Sequence, residues 1–349
     1  MRNAQREFVK EVINQRLRLQ NNEDKSFGVL KHRQDVHCIV FNLLGVVGYA
    51  IAFYIYLHPD VAHIHSRGDM AAFIVAAVLL LGWVSGINLG LNFHNHVHRH
   101  LFRVSWLNHW YGRFWAVTGG WSSRLWLHSH VTVHHADTLG PTDWSVAKQF
   151  PDGSFEPRWK YSLLHWPWRY YKHLWLDYRS DKYPRLRREA PKEFLIFLAL
   201  YSIPFLINPM MGLLLWFLPH YLGNTWTLGA GMYVQHVGCE KEDEIHPFRH
   251  SNTFFSRLWN LMVFNSGYHN LHHMFPHVHW SDLPEFQKLL QQALDADGAS
   301  ALRIGYFRAS VELGIRSWPD ILERYSKVPT AAGSATAPPD AHRTASAGA

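Results

Sequence analysis

Apolar residues along this chain gather into a few long runs, separated by polar and aromatic-rich segments. The first run covers Val36–Leu57 and the second Ala71–Phe93, joined by a short polar linker, His58–Met70. Each holds about 22 residues, about 33 Å as a helix, enough to cross the hydrocarbon core of a bilayer. A third apolar region, residues 191–235, breaks at Asn208-Pro209 and reads as a second hairpin with spans over 191–207 and 210–235. The last span carries Gly223, Asn224, Thr225, Thr227, Gly229 and Gly231, too small and polar for a lipid-facing surface. Such residues either let helices pack closely or leave room for a substrate. The pattern therefore predicts an all-α integral membrane fold. It has four transmembrane helices arranged as two hairpins, with a cytoplasmic helical cap.

Composition supports that frame. Charged residues are 17% of the chain, against about 25% in a typical soluble domain. Aromatics reach 15%, and the segment from Trp106 to Trp175 holds Trp110, Tyr111, Trp115, Trp121, Trp126, Trp166, Trp168, Tyr170 and Tyr171. Rings at that density suit helices lying at headgroup depth. Net charge is +7, but the cations are spread out and interrupted by apolar spans. That favours anionic lipid headgroups as partners and argues against nucleic acid.

Lys and Arg set the orientation. Residues 1–35 hold eight of the 34, residues 94–192 fifteen and the part after 235 ten, while the short loops hold only Arg67. Positive-inside bias places both termini and the central segment in the cytoplasm. The chain divides into a cytoplasmic N-terminal segment (1–35), a membrane domain (36–290), a C-terminal helical segment (291–328) and a tail (329–349). The tail is rich in Ala, Pro, Thr, Ser and Gly and cannot build a core. The polar start reads as having no cleavable signal peptide, and the end shows no ER-retention signal, which favours a bacterial inner membrane.

The 26 histidines change the picture most. Three clusters stand out: His94, His96, His98 and His100; His128, His130, His134 and His135; and His269, His272 and His273. In the first, His94/His98 and His96/His100 are both four apart, so either pair can share a helix face, but the two pairs point in different directions. In the other two, the spacings i, i+4, i+5 and i, i+3, i+4 place each triple along one helical edge. Burying so many imidazoles without a ligand would orphan many polar atoms, so the clusters read as metal-binding. Eight or more ligands exceed what one ion takes, which favours two ions, and imidazole suits iron. Neither Cys38 nor Cys239 belongs to a CxxC pair, so thiolate ligation is not expected. A hairpin between the second and third clusters returns the chain to the same membrane face, where all three can meet.

The clusters resemble the histidine boxes of the membrane fatty acid desaturase family, which also contains hydroxylases, acetylenases and ketolases. His98-Arg-His-Leu101-Phe102 is similar to the end of the first box and selects His94 and His98. His130, His134 and His135 match H-x(2–3)-H-H, followed by Gly140-Pro141-Thr142-Asp143-Trp144. Asn265-Ser-Gly-Tyr-His269-Asn-Leu-His272-His273-Met-Phe-Pro276 matches H-x-x-H-H, with Trp280 and Leu283-Pro284 downstream. Gln235-His236 is similar to the family's extra ligand after the last span. The resemblance covers residues 36–290 and implies nine ligands: His94, His98, His130, His134, His135, His236, His269, His272 and His273. His96, His100 and His128 stay as alternatives for the register of the first two boxes.

Other histidines read differently. His58, His63 and His65 fall in an external loop. His277 and His279 read as surface groups or supports for the ligands, and His109, His165, His173, His246 and His250 lack ligand spacing. Ligating imidazoles usually donate their second N–H to a carboxylate, for which Asp137, Asp143, Glu240 and Asp243 are candidates.

The resemblance implies a di-iron centre with O2 as co-substrate, oxidising an unactivated C–H bond of a fatty acyl or lipid chain. Desaturation to a C=C bond leads; hydroxylation or acetylenation would use the same residues. Absence of Cys from the clusters suits a strong oxidant. Electrons must come from a separate donor of ferredoxin or cytochrome type with its reductase, since no fused haem motif or ferredoxin cysteine pattern is visible. Arg185, Arg187 and Arg188 could attract an acidic carrier or face lipid headgroups. The competing class is a polytopic zinc hydrolase, receptor or transporter. No cluster contains the Glu of H-E-x-x-H, and the clusters sit at span ends rather than inside spans.

Overall fold

Asp35–Leu57 forms α1, whose outer face leaves Leu43, Leu44, Val47 and Ile51 exposed. In the computed structural model, residues 25–241 and 248–326 are described, together with Glu7, Glu11 and Asn14. The expected tail, Asp243 and His246 lie outside them. After a short turn at Pro59–Ala62, α2 runs over Arg67–His98. It starts four residues before the apolar run because Ser66 and Asp69 form a capping box: Asp69 N–H donates to Ser66 Oγ at 3.1 Å and Ser66 N–H to Asp69 Oδ2 at 3.0 Å. Its apolar run ends in a π-helical stretch, Asn88–Phe93, beyond which the helix continues into the first histidines.

Next come α3 (Ser105–Thr118), α4 (123–134) and α5 (158–179). Their aromatic residues divide. Trp106, Trp110, Trp168, Tyr171 and Trp175 face outward, as an interfacial helix requires. Trp115, Trp121, Trp126 and Tyr170 instead fill the core beneath, which corrects the reading of the whole set as interfacial.

Helix α6 covers Pro184–Ile207. It begins before the apolar run because Pro184 sits in the first turn, where its missing N–H costs nothing. The break at Asn208-Pro209 is a cap: Asn208 Oδ1 accepts from Met211 N–H at 3.0 Å. Helix α7 follows over 209–236 as alternating α and π stretches. Among the described residues, three helices are long and apolar enough to cross a membrane: α1, α2 and α6. Helix α7 is more buried. Gly223 packs on the backbone of Gly82, where an added Cβ would lie 2.0 Å from the Gly82 carbonyl oxygen. Close packing thus explains Gly223. Farther along, a cavity of about 40 Å³ opens beside Gly231, Trp83, Leu91 and Trp226.

The remainder is short elements: β1 (Thr253–Phe254), α8 (Arg257–Met262), α9 (His269–Met274), α10 (Leu283–Asp297), β2 (Ala301–Leu302), α11 (Tyr306–Glu312) and α12 (Trp318–Tyr325). The strands pair in parallel, Thr253 with Ala301 and Phe254 with Leu302. Otherwise the structure is mostly helical. One apolar core joins Leu89 and Phe93 of α2, Trp115 of α3, Tyr161 of α5, Phe254, and Tyr306 and Ile321 of the last two helices. It packs beside the histidine-bearing ends of α2, α4, α7 and α9.

Candidate metal centre

The first pair comes from the end of α2. His94 and His98 occupy its last turn, after which Arg99 turns extended and ends the helix. His96 and His100 have the same spacing on another face. His96 Nε2 bonds the Asn108 carbonyl at 3.0 Å, which anchors it to the α3 side.

The second set sits on the π-helical stretch His128–His134. The defining bond here is His135 N–H to the His130 carbonyl, 2.9 Å, an i to i−5 closure. The wider turn aligns residues five apart, so His130 and His135 face one way and His134 another. His128 points out of the set and pairs with Asp177 at 2.9 Å.

Helix α9 divides its histidines as well: His269 and His273, four apart, face together, and His272 faces elsewhere. Each triple was expected along one edge. Both are split instead, and the split produces two groups. His94, His98, His130, His135 and His272 form one; His134, His236, His269 and His273 form the other. Within each, all candidate ligand atoms lie within 4.8 Å of one another. The structure thus gathers all nine histidines named from the sequence. Among the described residues, His96, His100 and His128 enter neither group.

Ring nitrogens meet at contact distance. In the five-membered group, His94 Nε2 and His272 Nε2 are 2.7 Å apart, His130 and His98 3.0 Å, and His272 and His135 3.2 Å. In the four-membered group, His269 Nε2 lies 3.1 Å from His236 Nε2 and 3.0 Å from His273 Nε2. His134 Nε2 is buried with no hydrogen-bond partner. Neutral imidazoles have one N–H each, so a nitrogen facing two others cannot satisfy all three. A cation at the centre of each group would. With metal–nitrogen bonds of about 2.1 Å, neighbouring ligands at right angles lie about 3.0 Å apart, and tetrahedral ones about 3.4 Å. The observed 2.7–3.2 Å suits near-right-angle ligation. The donor set therefore fits a metal ion in each group.

Burial holds His130, His135, His269, His272 and His273 well below the usual imidazole range, and the neighbouring histidines push the same way. They stay neutral, the form that ligates.

Outer partners fix several rings. His134 Nδ1 bonds Asp143 Oδ2 at 2.8 Å. Burial raises the Asp143 carboxyl, but His134 and Ser145 outweigh it and hold it below the ordinary value. Of the other candidate carboxylates, Asp137 binds Lys241 and Thr142, and Glu240 binds Arg249. Two partners escaped the sequence reading. The His250 carbonyl accepts from His236 Nδ1 at 3.0 Å, and Thr138 Oγ1 lies 3.1 Å from His273 Nδ1. Only Thr138, four residues after His134, left any trace in the sequence. His58, His63 and His65 are exposed, as expected of a loop. His277 is exposed, whereas His279 is buried and bonds Asp35 at 2.9 Å, on neither group. Arg185 and Arg188 both reach Glu189, and Arg187 reaches Asp181.

The family model described as fatty acid desaturase matches residues 70–303, a stretch containing all nine histidines. No curated protein matches the chain.

Proposed function

The chain belongs to the fatty acid desaturase family, and from that premise we propose that it is a membrane-bound di-iron oxidoreductase that desaturates a fatty acyl or lipid chain with O2. The carrying observation is the pair of histidine groups, five and four members, made entirely of imidazole nitrogens. Five ligands exceed the four of a structural zinc and the three of a catalytic one. In this reading His94, His98, His130, His135 and His272 hold one iron, and His134, His236, His269 and His273 the other. Bound iron supplies the power to activate O2 toward an unactivated C–H bond.

The protein's own part is positional. Burial keeps the imidazoles neutral. Asp143 accepts a hydrogen bond from His134 Nδ1–H, orients that ring and raises its basicity. The His250 carbonyl and Thr138 orient His236 and His273 in the same way. Trp83, Leu91 and Trp226 give the small cavity beside Gly231 apolar walls, a lining compatible with part of a hydrocarbon chain.

The topology we propose makes α7 the fourth span, buried within the bundle, with both termini and the histidine groups cytoplasmic. Positive-inside charge and the return of α6 and α7 to one face support it. Electrons come from a separate ferredoxin or cytochrome-type donor with its reductase, and a bacterial inner membrane is the favoured location. The test is lipid profiling of purified, iron-loaded protein given O2 and a reductant system. An acyl product with one additional C=C bond is expected. A hydroxylated product without alkene would overturn desaturation, and no oxidised lipid from fully loaded protein would overturn C–H oxidation.

A further inference from the structure

An apolar groove of about 1130 Å³ opens at the N-terminal end of α1; none of the nine histidines lines it, although Tyr268 in its wall directly precedes His269. Val40, Phe41 and Leu44 of α1 form one side, and Leu261 and Met262 of α8 the other. Both sides continue into outward-facing apolar surface: Leu44 is 64% exposed and Leu261 63%. Helix α8 turns its polar Asn260 inward, where Nδ2 bonds the Phe254 carbonyl at 2.7 Å, and presents Leu258, Leu261 and Met262 outward. A short helix with that polarity sits against acyl chains.

One end of the groove is polar. Gln34, Ser281 and Lys288 line it, and Lys288 is the single charged residue in the lining. The wall between is a turn in which Phe264 and Asn265 both take positive φ, +51° and +57°. Side chains rarely adopt that conformation in succession, and such strain gathers at functional sites. Asn265 Nδ2 donating to the Trp280 carbonyl, 3.0 Å, holds it.

We propose that this groove binds one anionic glycerophospholipid of the cytoplasmic leaflet, its acyl chains along α1 and α8 and its phosphate at Lys288. The volume exceeds the roughly 300–1,000 Å³ of drug-sized pockets and suits hydrocarbon chains. A cation with hydrogen-bond donors at one end, and no acid in the lining, selects a negative headgroup. None of the nine histidines lines the groove, so the proposal holds equally for a hydroxylase.

The test is native mass spectrometry and thermal unfolding of the full-length protein in detergent supplemented with phosphatidylglycerol or phosphatidylcholine. One phosphatidylglycerol should be retained in preference to phosphatidylcholine, and should raise Tm by a few degrees. K288E should lower its retention about tenfold and erase the Tm gain. Leu44→Trp, which narrows the groove, should reduce retention of either lipid. Equal retention of both lipids by the wild type, or unchanged retention in both variants, would overturn the proposal. If a variant misfolds, the wild-type comparison of the two lipids still decides.

Discussion

The two histidine groups are built from the same residue type and held by different means. In the four-membered group three rings are tied from behind: His134 by Asp143, His236 by the His250 carbonyl and His273 by Thr138. In the five-membered group ring packing is prominent, as where Trp126 stacks on His130 with centroids 5.1 Å apart and planes 4° apart. A cavity of about 10 Å³ also reaches His98 and His272 of that group. The comparison teaches that one group is held by directional hydrogen bonds from behind, whereas the other rests more on ring packing. The first should tolerate few changes to its supports.

The largest effect should come from removing a ligand on either side of that divide. Ala at His272 or His273 should abolish product formation, measured as oxidised lipid per iron added. Retained turnover in either would separate that group from the chemistry. Next, D143N should weaken metal binding by about 10–100-fold in the four-membered group alone. Metal titration resolves this, since the five-membered group should load as in the wild type. Equal weakening of both would break the comparison.

A smaller effect is expected outside both groups. H96A should cost about 1–3 kcal/mol of stability by removing a buried ring and its hydrogen bond to the Asn108 carbonyl, with metal content unchanged, read by denaturation and metal analysis together. A pH dependence of the metal-free protein makes a separate check. His250 is pulled down to about 4 by burial, with His134 adding to it, and His135, His269, His272 and His273 also lie well below 6.5. Between those values and 6.5 the unfolded chain binds more protons than the folded one, so stability falls as pH drops below about 6.5 and levels off above it. Melting curves from pH 5 to 8 check the sign.

Much of this was legible in the sequence because it rests on local pattern. The apolar runs located α1, α2 and α6, and Asn208-Pro209 located the cap between α6 and α7. Spacing singled out the three histidine clusters, and the resemblance to the histidine boxes supplied the choice of His94, His98 and His236. Spacing could not say how they partition, because His134 and His135 are adjacent in sequence and part only through the π-helical turn. Nor could spacing separate His94/His98 from His96/His100; the face each pair turns toward α3 decides that. Asp143 stood among four candidate carboxylates, and only the fold brings it to His134. The His250 carbonyl carries no side-chain signature at all. Helix α7 was read by composition as a span with small residues, and Gly223 shows those residues serving close packing on Gly82.

Metal analysis of the purified protein beside H272A and H273A tests the central claim most directly. Two groups of histidines predict about two irons per wild-type chain, falling to about one in each variant, because each variant opens a different group. About one zinc per chain from cells grown with ample iron, or an iron content unchanged in both variants, would contradict the account.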